Sequence, residues 1–375
     1  MASVAEQLKR TRKAKKAEDV GAIPQWKLMV RRFRQSRLSV IGAAILAVMY
    51  LMAIFADFLA PYDYNAIDAN FQWAAPTQVV FAQGTLGVYG VKQTLDQVNY
   101  TYIYEVDTST VYPVRFFVQG HEYQLLGLIP SRLHLFGLDA PPDAGAKLYL
   151  LGADNLGRDV FSRVLKGGQV SLSIGFIGVA ISMIIGSVIG TASGYFGGWI
   201  DNLAQRLIEL IQTFPFISIF VALAAALPAN MPVLQRYILI TTILAFINWT
   251  GLSREVRGKV LGYRNNDYTS AAIAAGASHW RVIRTHMIPN AMSHIIVVAT
   301  LAIPGAIGAE TALSFLNLGI LPPAVSWGVL LQDAQQVQSV LSHPWLLTPL
   351  AAVVLATLCL YLLGDGLRDA IDPYG

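Results

Sequence analysis

Residues 267–290 read DYTSAAIAAGASHWRVIRTHMIPN, a polar, basic stretch set between two strongly apolar segments. Asp267 or Thr269 suits the N-cap of a short helix, which Ala271, Ala272, Ala274 and Ala275 fill with small, strongly helix-forming residues. Gly276 fits the left-handed position that stops this helix. Ser278 suits the cap of a second helix, and Pro289 the first turn of the apolar helix that follows. Nearby stand Arg254, Arg257, Lys259, Arg264, Arg281 and Arg284 against only Glu255 and Asp267. A basic excess beside membrane spans marks the cytoplasmic face, so this stretch is expected to be a cytoplasmic docking loop.

The composition agrees. Hydrophobic residues are 54% and charged residues 13% of the chain, with mean hydropathy +0.49; a soluble domain carries about 25% charged residues. Residues 1–37 hold 11 Lys/Arg and 3 Asp/Glu, and the remainder 16 and 20. A basic N-terminus alone would suit nucleic acid. This one runs directly into a long apolar run, so positive-inside orientation is the simpler reading and no nucleic-acid partner is expected.

Six apolar runs follow, at 38–60, 170–194, 203–227, 233–251, 291–316 and 345–363. Each is near the ~20 residues that cross a bilayer. The fourth is interrupted by Arg236 and Asn248. Six spans starting inside return 253–290 to the cytoplasm, with both termini there. The fold class is therefore an all-α polytopic membrane protein of six transmembrane helices. The first span is not a cleaved signal: 37 residues precede it and its end is a poor small-residue cleavage site. Residues 1–24 read as a solvated tail. From Trp26 to Arg37, apolar Leu28, Met29, Val30 and Phe33 interleave with Lys27, Arg31, Arg32 and Arg34. That pattern fits an interfacial helix on anionic lipid, or simply a basic topogenic flank.

Here the chain resembles a known family. Ala271-Ala272, Gly276 and Pro289 match the spacing of the signature loop of ABC-importer permeases. The general pattern has Glu before the Ala pair and Ile three residues before the Pro; this chain has Ser270 and His286 there. His286-Met287-Ile288-Pro289-Asn290 is similar to the version found in oligopeptide, dipeptide and nickel importers. A second match runs LGADNLGRD at 151–159, then Ser162-Arg163 and Ser171-Leu172. It resembles the segment before the second span of the C-type permease subunit, and singles out Asp154, Gly157, Arg158, Asp159 and Arg163. The resemblance implies an inner-membrane subunit that docks an ATPase through Ser270, Ala271, Ala272, Gly276, His286 and Pro289. It also implies a second permease subunit, two ATPase subunits carrying ATP and Mg, and an extracytoplasmic substrate-binding protein.

Between the first two spans lie residues 61–166, extracytoplasmic by parity and longer than the usual family loop. YTYIYEV at 100–106 and VRFFV at 114–118 are rich in aromatic and β-branched residues. Gly120-His121-Glu122 is expected to turn the second run back into 123–126. This is a small β-rich insertion, either a surface that helps receive a loaded binding protein or a cover over the outer mouth. Cys359, the only cysteine, lies in the sixth span and leaves no disulfide to hold it.

Catalytic signatures are missing from the sequence. Gly258-Lys259 is followed by Val260, so no phosphate loop ends in Gly-Lys-Ser/Thr. No cofactor is expected on this chain, and ATP-driven work needs a separate ATPase. The histidines 121, 134, 279, 286, 294 and 343 form no His-Glu-x-x-His pair. His286 and His294 flank the start of span five; they are read as a loop residue and a packing residue rather than metal ligands.

Polar residues within spans are the gate or pathway candidates. Glu310 sits mid-span, where an ionisable group costs about 2.5–3.5 kcal/mol on insertion scales. It either lines a water-filled path or hydrogen-bonds its helix to neighbours; the resembled family also carries Glu there. Arg206 and Glu209 are spaced to pair at i, i+3, and Pro215 then bends the third span. Gly305 after Pro304 marks a bend in the fifth. Gly186 and Gly190 are spaced for close helix approach, either within the chain or against a partner permease. Two functions remain at this point: an ATP-driven permease of a peptide importer, working by alternating access, or a proton- or ion-coupled secondary transporter using Glu310 and Glu209.

Overall fold

A computed structural model of the chain describes residues 25–371 apart from 83, 98–100, 126, 142–143, 227 and 229–230. The tail at 1–24 lies outside the described residues. The order is α1 (Gln25–Phe33), α2 (Arg37–Ile54), α3 (Ala56–Leu59), β1 (Val79–Ala82), β2 (Thr85–Asp96), β3 (Thr101–Leu125) and β4 (Ile129–Leu138). There follow α4 (Val160–Phe196), α5 (Gly198–Thr213), α6 (Phe216–Ala226), α7 (Val233–Arg264), α8 (Asp267–Ala274), α9 (His279–Val282), α10 (Ile288–Phe315), α11 (Trp327–Leu330), α12 (Val337–Ser342) and α13 (Thr348–Ile371).

Among the described residues, four helical runs are long and apolar enough to cross a membrane: 37–54, 160–196, 279–315 and 344–371. A fifth exists if 198–213 and 217–223, bent by 81°, form one broken span. The break falls at Pro215, which has no N–H to continue α5; its carbonyl instead accepts the Ile219 N–H at 3.2 Å and starts α6. α7 is 32 residues long, but Arg236, Arg254, Glu255, Arg257 and Lys259 dilute its apolar character. α10 continues through Pro304 without interruption.

Glycine sets the spacing of α4 and α7. A Cβ at Gly186, Gly190 or Gly194 would stand 3.0 Å from the Trp249 carbonyl oxygen, 2.4 Å from that of Ser253 and 2.9 Å from that of Arg257. The stripe therefore packs within the chain, backbone against backbone. Around this pair, Val179, Leu252, Val256, Val260, Met287, Ala291 and Ile295 form one core. Leu46, Leu172, Ile307, Ala356, Cys359 and Leu360 form a second, where α2 and α13 close on α4 and α10.

The insertion is an antiparallel meander, β1-β2-β3-β4. Its strands run further than the sequence suggests. Gly120-His121-Glu122 is not a turn: β3 passes through it with a register irregularity between Gln119 and Tyr123. The glycine is needed because the His134 ring lies on it; a Cβ would meet His134 Cδ2 at 2.6 Å. The chain reverses around Gly127 instead, at φ +71°. Val88, Ala146 and Leu148 pack one side of the sheet, and the Phe136 ring meets Phe161 at the head of α4, 6.2 Å between centroids.

Candidate functional site

The loop at 267–290 folds as two short helices tied to the base of the α4–α7–α10 core. The N-cap of α8 is Asn266, one residue before the expected Asp267; the Thr269 and Ser270 N–H groups reach its carbonyl at 3.0 and 3.2 Å. Asp267 is the acid of the first turn, where it complements the helix dipole. Thr269 is buried and spends its hydroxyl on the Tyr263 carbonyl at 2.9 Å, so it caps nothing. Gly276 has φ +79°. Its N–H donates to the Ile273 carbonyl and that of Ala277 to Ala272, at 2.9 and 3.0 Å, which is the paired closure of a Schellman turn. The Ser278 hydroxyl then accepts the Arg281 N–H at 3.3 Å and caps α9.

Between α9 and α10 one wider, π-helical turn runs over Ile283–Met287, with the Ile288 N–H reaching back to the Ile283 carbonyl. Pro289 follows in the first turn of α10. Its ring would crowd an ordinary α-helical turn before it, and the wider turn relieves that crowding. His286 lies in the π turn, its ring 5.7 Å from that of Tyr268. The Tyr268 hydroxyl receives Asn266 and Asn290 amide groups, both at 3.3 Å, and so joins the two ends of the loop.

The loop has an inner and an outer face. Val282, Ile283 and Met287 are buried in the main core, and Ala272 and Ala277 pack against it. Ser270, Ala271, Ile273, Gly276, Trp280, Arg281, Arg284 and Pro289 are exposed. Two further ties fix the base. The His279 Nδ1 and Tyr195 hydroxyl lie 2.9 Å apart. Arg257 grips Asp201 through Nε and Nη2, both at 2.6 Å, while Ser193 donates to the same carboxylate. Arg257 was visible as a basic flank residue; Asp201, fifty-six positions away, gave no local signal.

Glu310 is fully buried. The Ser171 hydroxyl on α4 donates to its Oε2 and that of Ser314 to Oε1, both at 2.8 Å. Each serine also accepts a backbone N–H, from Trp327 at 3.1 Å and Ile320 at 2.9 Å. The carboxylate thus ties α10 to α4 and to the loop leading to α11. Arg206 and Glu209 do pair, at 2.9 Å, on an exposed face of α5.

All five residues of the outer motif converge. Asp154 Oδ1 accepts the Leu156 and Arg158 N–H groups at 2.9 and 3.0 Å, and its Oδ2 faces Arg158 Nε at 2.7 Å and Arg163 Nε at 3.3 Å. Arg163 also donates to the Tyr64 carbonyl at 3.0 Å. Gly157, at φ +73°, lies so close to the chain at Asp68 that a Cβ would stand 1.9 Å from its carbonyl oxygen. Asp159 caps α4, accepting Ser162 N–H at 2.9 Å and Ser162 hydroxyl at 2.5 Å. Burial pushes the Asp159 carboxyl up to about 6, against the pull of those hydrogen bonds. Asp333 is pushed up as well, by burial and then by Asp154. The motif is a clamp that fastens residues 64–74 to the head of α4.

The chain is similar to known proteins along most of its length. Residues 182–374 match the family described as binding-protein-dependent transport system inner membrane component, and 24–76 match the N-terminal TM domain of oligopeptide transport permease C. Neither match takes in 77–181, which holds the sheet. The chain is 32% identical over 349 residues to the oligopeptide transport system permease protein OppC of Haemophilus influenzae, covering 93% of this chain and 88% of that one. It is 32% identical over 345 residues to the dipeptide transport system permease protein DppC of Bacillus subtilis, covering 92% and 84%. Among solved structures, an inward-facing form of the MetNI methionine ABC transporter is similar at TM-score 0.40 and 15% identity, over 56% of this chain and 96% of that chain.

Proposed function

We propose, from the premise that this chain belongs to the family of binding-protein-dependent transport system inner membrane components, that it is the C-type permease subunit of an ATP-driven peptide importer. It is a multi-pass protein of the inner membrane, here read with six spans and both termini in the cytoplasm. Its partners are a second permease subunit, two ATPase subunits that hold ATP and Mg, and an extracytoplasmic binding protein. The chain itself catalyses nothing.

The observation that carries this reading is the two-faced loop at 267–290. Its outer face offers small and apolar groups, Ala271, Ile273 and Trp280, ringed by Arg281 and Arg284. Its inner face is locked into the core that joins α4, α7 and α10. A push on the outer face therefore moves three long helices together instead of deforming a loop. Ser270, Ala271, Ala272, Gly276, His286 and Pro289 form the coupling element. At the other end, Glu310 keeps α10 joined to α4, so the helices rock as a unit and alternate the access of a central path. Arg206, Glu209 and Pro215, on and beside the broken α5–α6 pair, are the gate candidates. The test is copurification with an ATPase, followed by peptide uptake into proteoliposomes. Uptake that needs ATP and binding protein and survives an uncoupler supports the reading. Uptake that follows the proton gradient with ATP irrelevant overturns it.

A further inference from the structure

A pocket in the insertion, beside the outer clamp, has no part in the reading so far. One face of the β2–β3 ribbon gives it Tyr89, Val91, Tyr104 and Val106; the facing segments give it Phe71, Tyr149 and residues 74–78, with Lys147 at one side. The cavity measures about 170 Å³, roughly the size of an apolar cavity that admits a benzene ring, ~150 Å³. Its rings are set against each other: Phe71 stacks on Tyr104 at 6.4 Å and meets Tyr149 edge-on at 5.6 Å. The wall carries no free charge. Lys147 is neutralised by Asp68 at 3.0 Å and lies over the Phe71 ring. Tyr104 donates to the Gln72 carbonyl at 2.5 Å, and burial pushes its phenol up to about 12, so it stays neutral. Such a wall accepts an apolar or aromatic group and disfavours a carboxylate.

A second observation says what carries that group. β1 pairs with β2 only from Thr85 to Val88. The Val91 N–H turns away from β3 and donates to the Gly145 carbonyl at 2.8 Å. By the alternation of an antiparallel ladder, Gln93 and Leu95 present N–H and C=O groups along the same outer edge, with no strand beside them among the described residues. β1 and residues 144–145 cover the edge as far as Val91, so the free edge is Gln93–Leu95, next to the pocket wall. A free edge beside an apolar pocket suits an extended peptide, with main-chain hydrogen bonds along the strand and one side chain in the pocket.

We propose that the insertion is itself a peptide-binding site, holding a transported peptide along the free Gln93–Leu95 edge of β2 with one apolar or aromatic side chain in the adjoining Phe71–Tyr89–Tyr104–Tyr149 pocket. This rests on the peptide-importer reading. It adds to that reading a contact between substrate and permease that lies outside the spans.

The probe is alanyl-p-azidophenylalanyl-alanine, whose side chain stays near the size of one ring, photolysed with the intact complex in nanodiscs without binding protein. The expected result is attachment within 71–106, suppressed by excess Ala-Phe-Ala. Ala75→Trp and Val106→Trp fill the pocket from its exposed rim and each should lower attachment about tenfold. Val79→Trp, on β1 outside the pocket, should leave it unchanged. No attachment in the wild type, or attachment unmoved by both rim variants, overturns the proposal. So does attachment that appears only from a photoreactive side chain placed on the binding protein, because the pocket would then belong to that partner. Wild-type ATP-driven peptide uptake is measured in parallel on the same purified complex in proteoliposomes with binding protein supplied. Intact uptake without attachment sinks this site alone, whereas loss of all peptide uptake, with the complex intact, sinks the importer reading.

Discussion

The Ser171 hydroxyl donates to the Glu310 carboxylate at 2.8 Å, joining residues 139 positions apart inside the helical core. Ser314 does the same from one turn further along α10. Both serines are also acceptors for backbone N–H groups, Ser314 from Ile320 in the loop before α11 and Ser171 from Trp327 at its start. Two hydroxyls thus relay one carboxylate to two loop amides, and each member satisfies another. The arrangement explains how an acidic residue persists in an apolar helix: it faces a full set of partners, away from lipid.

The first prediction concerns Glu310→Gln. Glutamine keeps one acceptor oxygen but turns an NH2 toward the other serine. That hydroxyl loses the acceptor for its hydrogen, at a cost of about 1–3 kcal/mol. The thermal midpoint of the complex should fall, and uptake should fall modestly while staying independent of the proton gradient. Abolition of uptake with an unchanged thermal midpoint would instead assign Glu310 a proton-carrying role.

The second concerns Gly276→Val. At φ +79° a side chain is strained by roughly 1–2 kcal/mol, more when β-branched. Nothing lies within 4 Å of the added Cβ, so the effect is backbone strain in the Schellman turn and not a clash. The variant should insert and pair with its partner permease, yet lose ATPase binding or turn over ATP without uptake. Wild-type uptake would show that the turn is dispensable.

Much of this loop is legible because its punctuation is local. Gly276, Ser278 and Pro289 each obey a rule that depends on a few neighbouring residues. The α8 cap lies one position before the expected one because Asn266, Asp267 and Thr269 all suit it, and the Tyr263 carbonyl six residues upstream takes the Thr269 hydroxyl. The insertion is harder to read because contacts between strands decide it. Gly120 looks like a turn residue until the His134 ring is placed upon it, and β1, β2 and β4 carry no clean alternation. Asp201 matters through Arg257, fifty-six positions away, and no spacing in the sequence marks it. Ser171 stands in the outer motif and Ser314 one turn from Glu310, but only the fold brings the two serines to one carboxylate. The outer motif stood out as a pattern, but only the fold shows that Asp154, Arg158 and Arg163 are one clamp.

A third prediction follows from Asp159. Its folded-state carboxyl is near 6, against about 3.9 in an unfolded chain. Between those values the unfolded chain has released the proton and the folded one keeps it. The group's contribution therefore falls as pH rises through that window, by about 3 kcal/mol in all. Asp159→Asn keeps a capping oxygen and removes the titration. Thermal midpoints of the complex at pH 4.5 and 7, scanned at one rate, should show the variant gaining on the wild type at the higher pH. A gain at the lower pH, or none, counts against a buried, proton-retaining Asp159.

The last prediction tests the orientation on which the coupling and peptide-site readings both depend. Thr108 on β3 and Ser278 between α8 and α9 are both exposed. The basic loop around Ser278 belongs on the cytoplasmic side by the distribution of Arg and Lys. Spans starting inside then put the sheet on the opposite face. Cys359 is buried, so an engineered cysteine should be the only one to react. In intact cells an impermeant maleimide should label Thr108→Cys and miss Ser278→Cys; after permeabilisation both should react. Both positions lie at the surface and neither hydroxyl is needed for the core, although Ser278→Cys weakens the α9 cap. Ala275→Cys, exposed in the same loop, controls for that loss. Labelling of the two loop cysteines in intact cells, or protection of Thr108→Cys, would remove the docking loop from the ATPase side and with it the coupling mechanism.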